Sequence, residues 1–123
     1  MPRFVYVQNV DKEIKQPARV ALCDTFASRL RGLMFRSGLP EYEGVLLAMP
    51  RESRMDSSIH MLFVPFNLAV FWITESMQVV DKVIARPWRP AYVPARAARF
   101  VLELHPRFFA AYEIGDRVEL ADA

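Results

Sequence analysis

The stretch SSIHMLFVPFNLAVFWI, Ser57–Ile73, limits what this chain can fold into more than any other. After its two serines it is apolar except at His60, Pro65 and Asn67. A membrane helix takes about 20 apolar residues, so Met61–Ile73 is too short to span, and Pro65 interrupts it. The stretch therefore has to be buried within the protein. Apolar side chains on both pleat faces predict central strands covered on both sides, over Ile59–Val64 and Asn67–Ile73. Pro65 cannot donate a ladder hydrogen bond, which predicts a bend between them. His60 then stands at the start of a central strand, its ring on the opposite side from Ile59 and Met61.

A chain of 123 residues is one domain by size, spanning 1–123, and its 53% hydrophobic content is enough for a core. The formal charge of +2 gives no field of the kind that gathers nucleic acid. Thirteen arginines against three lysines suit planar, bidentate recognition of carboxylate or phosphate. A single cysteine, Cys23, excludes an intrachain disulfide and a thiolate metal cluster. It fits a reducing cytoplasm, and in VALC it reads as a small strand hydrophobe. The N-terminus, MPRFVYVQNVDKEI, has no signal-peptide core, so the chain reads as cytoplasmic and without a membrane span.

Strand patterns recur along the chain: Phe4–Asn9, Val20–Cys23, Gly44–Met49, Gln78–Arg86, Arg99–Leu104 and Arg117–Leu120. Asp24 or Thr25 can cap a short helix in which Phe26, Leu30, Leu33 and Met34 share one face. Gly32 falls where that helix would end, and a positive φ is expected there. Pro106 can open a second short helix over Arg107–Tyr112, with His105 as its cap. Pro50–Ser58 reads as polar loop, and Arg86–Ala98, with three prolines, as an extended one. Many short strands and no long helix predict a mainly β fold, an antiparallel sandwich or partly open barrel with one or two short helices. Leu46, Phe63, Leu68, Val70, Trp72, Phe100 and Leu102 are the expected core.

The segments TFASRLRGLMFRSGLPEYEGVLL, SSIH, FVLEL and IGDRVEL, in that order, resemble the bacterial and archaeal family called domain of unknown function 192. The resemblance spans roughly Val20–Leu120. It implies a mainly β, jelly-roll-like fold, and it implies no reaction, because no activity is established for the family. Its members place an aspartate just after the SIH segment and a proline. Here that carboxylate is missing in either register: Ala69 or Asn67 takes its place. Asparagine still forms hydrogen bonds but takes no proton and neutralises no cation.

Chemistry is sought on the loop face. His60 lacks the nucleophile and orienting carboxylate that a hydrolase needs in one motif, and no GxSxG elbow occurs. Two histidines 45 positions apart give no metal-ligand spacing, so neither a metal nor a cofactor is expected. In ARPWRPAYVPAR the cations alternate with aromatics, a pattern that holds anions or sugars, or else braces a sheet edge with Trp88 turned inward. His60, Arg54, Asn67, Arg86, Trp88 and Arg89 are the candidate ligand-binding residues. The expected function is a non-catalytic binding or accessory module for a small anionic or sugar-like ligand, or for a protein partner. A hydrolase-like enzyme with its site on the same face is the alternative.

Overall fold

The computed structural model describes residues 3–123. β1 (Phe4–Asn9) and β2 (Arg19–Cys23) lead into helix α1 (Phe26–Arg31). β3 (Glu43–Ser53), β4 (Leu68–Ile73), β5 (Val79–Ala85) and β6 (Ala98–Leu104) follow. A 3-10 helix (Pro106–Ala111) and β7 (Val118–Asp122) close the chain. All seven strands lie in one sheet, in the order β5-β4-β6-β3-β2-β1-β7. Its two edge strands meet at one end. The Val79 N–H donates to the Asp116 carbonyl, the Gly115 N–H to the Val79 carbonyl, and Gln78 bridges Arg117. The sheet is thus a partly closed barrel, and no second sheet stacks on it among the described residues.

One pair departs from the antiparallel expectation: β2 and β3 run parallel, with Val20 opposite Gly44 and Leu22 opposite Leu46. Residues 24–42 supply the crossover, and α1 belongs to it. A short helix suffices because the two strands are neighbours. Gly44 is required in this pair. A Cβ there would run into the Glu103 carbonyl and crowd Leu104 at 2.7 Å.

Strand alternation divides the apolar residues into two layers. Inside the curl, Val5, Val20, Leu46, Phe71, Leu102 and Tyr112 pack together, and the Tyr112 hydroxyl donates to the Val7 carbonyl at 2.5 Å. Outside it, Val45, Leu47, Val70, Trp72 and Val101 form a second core, covered by Leu33 and by Ile59, Met61 and Val64. β4 is buried along its whole length on both faces, as its composition requires.

Several local expectations give way. Ile59–Val64 is not a strand: Ile59 only bridges Tyr92, Met61 pairs with the Arg86–Ala98 loop, and the chain turns at Phe63. The apolar run arises instead because Ile59, Met61 and Val64 cap the outer core. Phe63, expected inside, has φ 62° and is 45% exposed. Phe100 is half-buried rather than buried. β3 continues through Pro50–Ser53, past a register shift after Ala48. In α1 the expected apolar face breaks. The helix has only six residues, and Gly32, with the expected positive φ of 44°, redirects the chain. Leu33 therefore turns inward while Phe26 and Leu30 stay exposed. Thr25 is the N-cap: it accepts from the Ser28 N–H at 3.1 Å, and the Ser28 hydroxyl accepts from the Thr25 N–H at 3.0 Å.

Candidate functional site

A cavity of about 450 Å³ opens between α1 with its following turn and the outer face of the sheet. Its wall is mainly apolar: Leu33, Met34, Leu47, Met49, Ile59 and Met61. Val45 in β3, Glu103 in β6 and Val70 in β4 stand side by side, all facing the outer core. This alternation sends the Glu103 carboxyl outward into an apolar layer, where it lines the cavity beneath Gly32. Its Oε1 lies 3.6 Å from where a Gly32 side chain would begin.

Glu103 is 5% exposed. Among the described residues its carboxyl has no hydrogen-bond or ion-pair partner, neither oxygen is fully occluded, and the residue lines the cavity. Burial pushes its carboxyl up from 4.5 to about 7. The floor is therefore a carboxyl poised between acid and carboxylate at neutral pH. Cys23 lies in the same layer; burial, and then the Glu103 and Asp24 carboxylates, push its thiol up. That makes it a hydrophobe rather than a nucleophile.

Polar side chains gather at the rim. Arg29 bridges the layers, donating to the Asp24 carbonyl at 2.7 Å and the Ala48 carbonyl at 3.3 Å. The Asp56 carboxylate accepts from Arg51 Nε at 3.3 Å. The Ser58 hydroxyl donates to the Arg54 carbonyl at 3.1 Å. His60 is half-buried, and its Nδ1 accepts the Leu62 N–H at 3.1 Å. Its ring is thus hydrogen-bonded, but within its own turn and not at the strand start expected for it. No serine is paired with a histidine base, and no group of three or more potential metal ligands occurs among the described residues.

Of the six residues singled out from sequence, only His60 lines the cavity. Arg54 is exposed and donates from Nε to the Pro94 carbonyl at 2.7 Å, tying two loops together. Asn67 is exposed just before β4. The Arg86 and Arg89 side chains are exposed beside Trp88, which is 53% exposed rather than packed inward. Their loop does lie against His60's segment: the Met61 N–H donates to the Arg89 carbonyl and the Trp88 N–H to the Met61 carbonyl. The loop thus supports one wall of the cavity from behind without entering it. Glu103, which sequence reasoning passed over, is the residue the cavity is built around.

No helix among the described residues is long and apolar enough to cross a membrane. Solved structures share this fold. A protein of unknown function from Novosphingobium aromaticivorans matches with a TM-score of 0.78 at 22% identity, covering 96% of this chain and 84% of its own. A Sinorhizobium meliloti protein, provisionally named a transcription regulator, matches with a TM-score of 0.83 at 18% identity, over 98% and 94%. At such identities the likeness establishes the fold alone. Among sequence relatives, the UPF0127 protein PF1050 of Pyrococcus furiosus is 38% identical over 111 residues, 88% of this chain and 90% of that protein. The UPF0127 protein PYRAB11210 of Pyrococcus abyssi is 34% identical over 113 residues, 90% and 93%. Residues 7–120 match the DUF192 family, described as "Uncharacterized ACR", and the chain belongs to that family.

Proposed function

We propose that this chain is a small binding domain whose ligand enters the cavity under α1 and presents a hydrogen-bond donor or a primary amine to Glu103. One observation carries the reading: a buried carboxyl with no protein partner among the described residues lines a cavity whose wall is mainly apolar. A pocket of this size, mainly apolar with a few placed polar groups, is the usual form of a small-molecule site. The floor selects the head of the ligand. A carboxylate or phosphate would meet a like charge there, whereas an amine stabilises the ionised form and a hydroxyl bonds to either form. The apolar wall, rich in methionine, accommodates an aliphatic or aromatic body.

The alternative is an enzyme using Glu103 as a general acid or base, and the position of its carboxyl near pH 7 favours it. Binding is preferred because no nucleophile stands ready: Ser58 is bound to a carbonyl and Cys23 is a hydrophobe.

The reading is tested by calorimetric titration of the chain with octylamine, octanol and octanoate at pH 8. The amine should bind most tightly, by about 10-fold or more over the alcohol, the increment of a charge-assisted hydrogen bond. Octanoate should bind least. Glu103→Gln should bring the amine down to the alcohol. Equal binding of all three, or no binding, would remove the proposal.

A further inference from the structure

Beside the cavity, on the outside of the same turn, three large aromatic rings are held in the open. Phe35, Phe63 and Trp88 are 70%, 45% and 53% exposed. They come from three separate loops: Phe35 stacks on Phe63 with centroids 5.0 Å apart, and Trp88 meets Phe63 edge to face at 5.1 Å. All three have left-handed backbones, with φ of 66°, 62° and 65°. Such a conformation is costly for a bulky side chain. Backbone bonds hold it: the Phe35 N–H donates to the Phe63 carbonyl and the Trp88 N–H to the Met61 carbonyl, both at 2.8 Å. Leu62, next in line, is 39% exposed.

The charge around this cluster is one-sided. The loops that build it belong to three stretches of sequence, 25–40, 57–74 and 82–102, and none contains an aspartate or glutamate. Arg31, Arg36, Arg86 and Arg89 flank the rings in sequence, are exposed, and form no ion pair among the described residues. The modest net charge of +2 therefore conceals a set of exposed arginines in the segments that carry these rings.

We propose that this aromatic cluster and its arginines are a docking face for an anionic lipid surface. Aromatic rings with exposed leucine at their edge suit the headgroup boundary, and unpaired arginines complement anionic lipid. Single-stranded nucleic acid fits less well, because it needs open ring faces for bases to stack on. Here the Phe63 ring is covered by Phe35 on one side and met by Trp88 on another. The proposal does not depend on what the cavity binds.

The test is sedimentation of the full chain with vesicles of phosphatidylcholine alone or mixed with phosphatidylglycerol. Binding should require the anionic lipid and weaken with added salt. Trp88 emission should shift blue and be quenched by brominated acyl chains, while buried Trp72 should not respond. The double substitution Arg86→Gln with Arg89→Gln should weaken binding by about 25-fold, about fivefold per cation. Trp88→Gly, which the positive φ favours and which therefore protects folding, should abolish the salt-resistant part. Equal binding to both vesicle types, no binding to either, or unchanged binding in both variants would overturn the proposal. So would a face occupied instead by a second copy in sedimentation equilibrium, or by a single-stranded oligonucleotide that binds more tightly than the vesicles and is lost in the same variants.

Discussion

Replacing Glu103 with glutamine should leave stability close to wild type in acid and raise it above wild type at alkaline pH. Burial raises the Glu103 carboxyl from 4.5 to about 7 in the folded chain. The folded state therefore holds this proton more tightly than the unfolded state. Its contribution is complete below pH 4.5 and is lost as pH rises to about 7. Each pH unit between those two values is worth about 1.4 kcal/mol, so wild type should lose about 3 kcal/mol across that window. Glutamine keeps the shape and cannot ionise. The difference between the two proteins, taken from urea unfolding at a series of pH values from about 4 to 8.5, cancels the titration of every other group. It should climb with pH in favour of Glu103→Gln, by about 3 kcal/mol in all. A difference that stays flat between pH 4.5 and about 7 would mean that Glu103 is solvated or paired in solution, and the account of the cavity floor would fail.

Trp72→Ala should cost about 3–5 kcal/mol in urea unfolding, because a fully buried ring is removed along with its 2.8 Å bond to the Ser57 carbonyl. Phe100→Ala, at a half-buried position, should cost distinctly less; equal costs would show that the layer assignment is wrong. Tyr112→Phe should lose about 1–3 kcal/mol by orphaning the buried Val7 carbonyl, and an unchanged denaturation midpoint would contradict that bond. Gly32→Ala should lower the thermal midpoint, at a cost of about 1–3 kcal/mol for an L residue at φ 44°. His60→Ala should cost under about 1 kcal/mol, since its one ring bond lies within an exposed turn.

The residues that were legible in the sequence are those whose local chemistry and tertiary role agree. Thr25 before FASRLR, Gly32 after it, and His105-Pro106 each mark a boundary that the structure keeps. The alternation in FVLEL puts Leu102 and Leu104 on one face and Glu103 on the other, and the structure has the same division. Ile59–Val64 was not legible because composition alone does not separate a two-faced strand from a loop that plugs a core. Positive φ at Phe35, Phe63 and Trp88 has no sequence signal, since glycine is what normally marks it. Glu103 did leave a trace. If β4 is buried on both faces, the outer face of its neighbour β6 is covered too, and a lone acid on that face must be buried. The trace is faint, because single acids in strands usually face water.

The cavity itself is tested most directly by carbon-13 methyl spectra of the methionines during titration with octylamine. Met34, Met49 and Met61 line the cavity, whereas Met55 and Met77 do not and serve as internal references. Saturating shifts confined to the three lining methyls, and weakened in Glu103→Gln, are the expected result. Shifts spread equally over Met55 and Met77, or none at any of the five, would contradict a ligand site under α1.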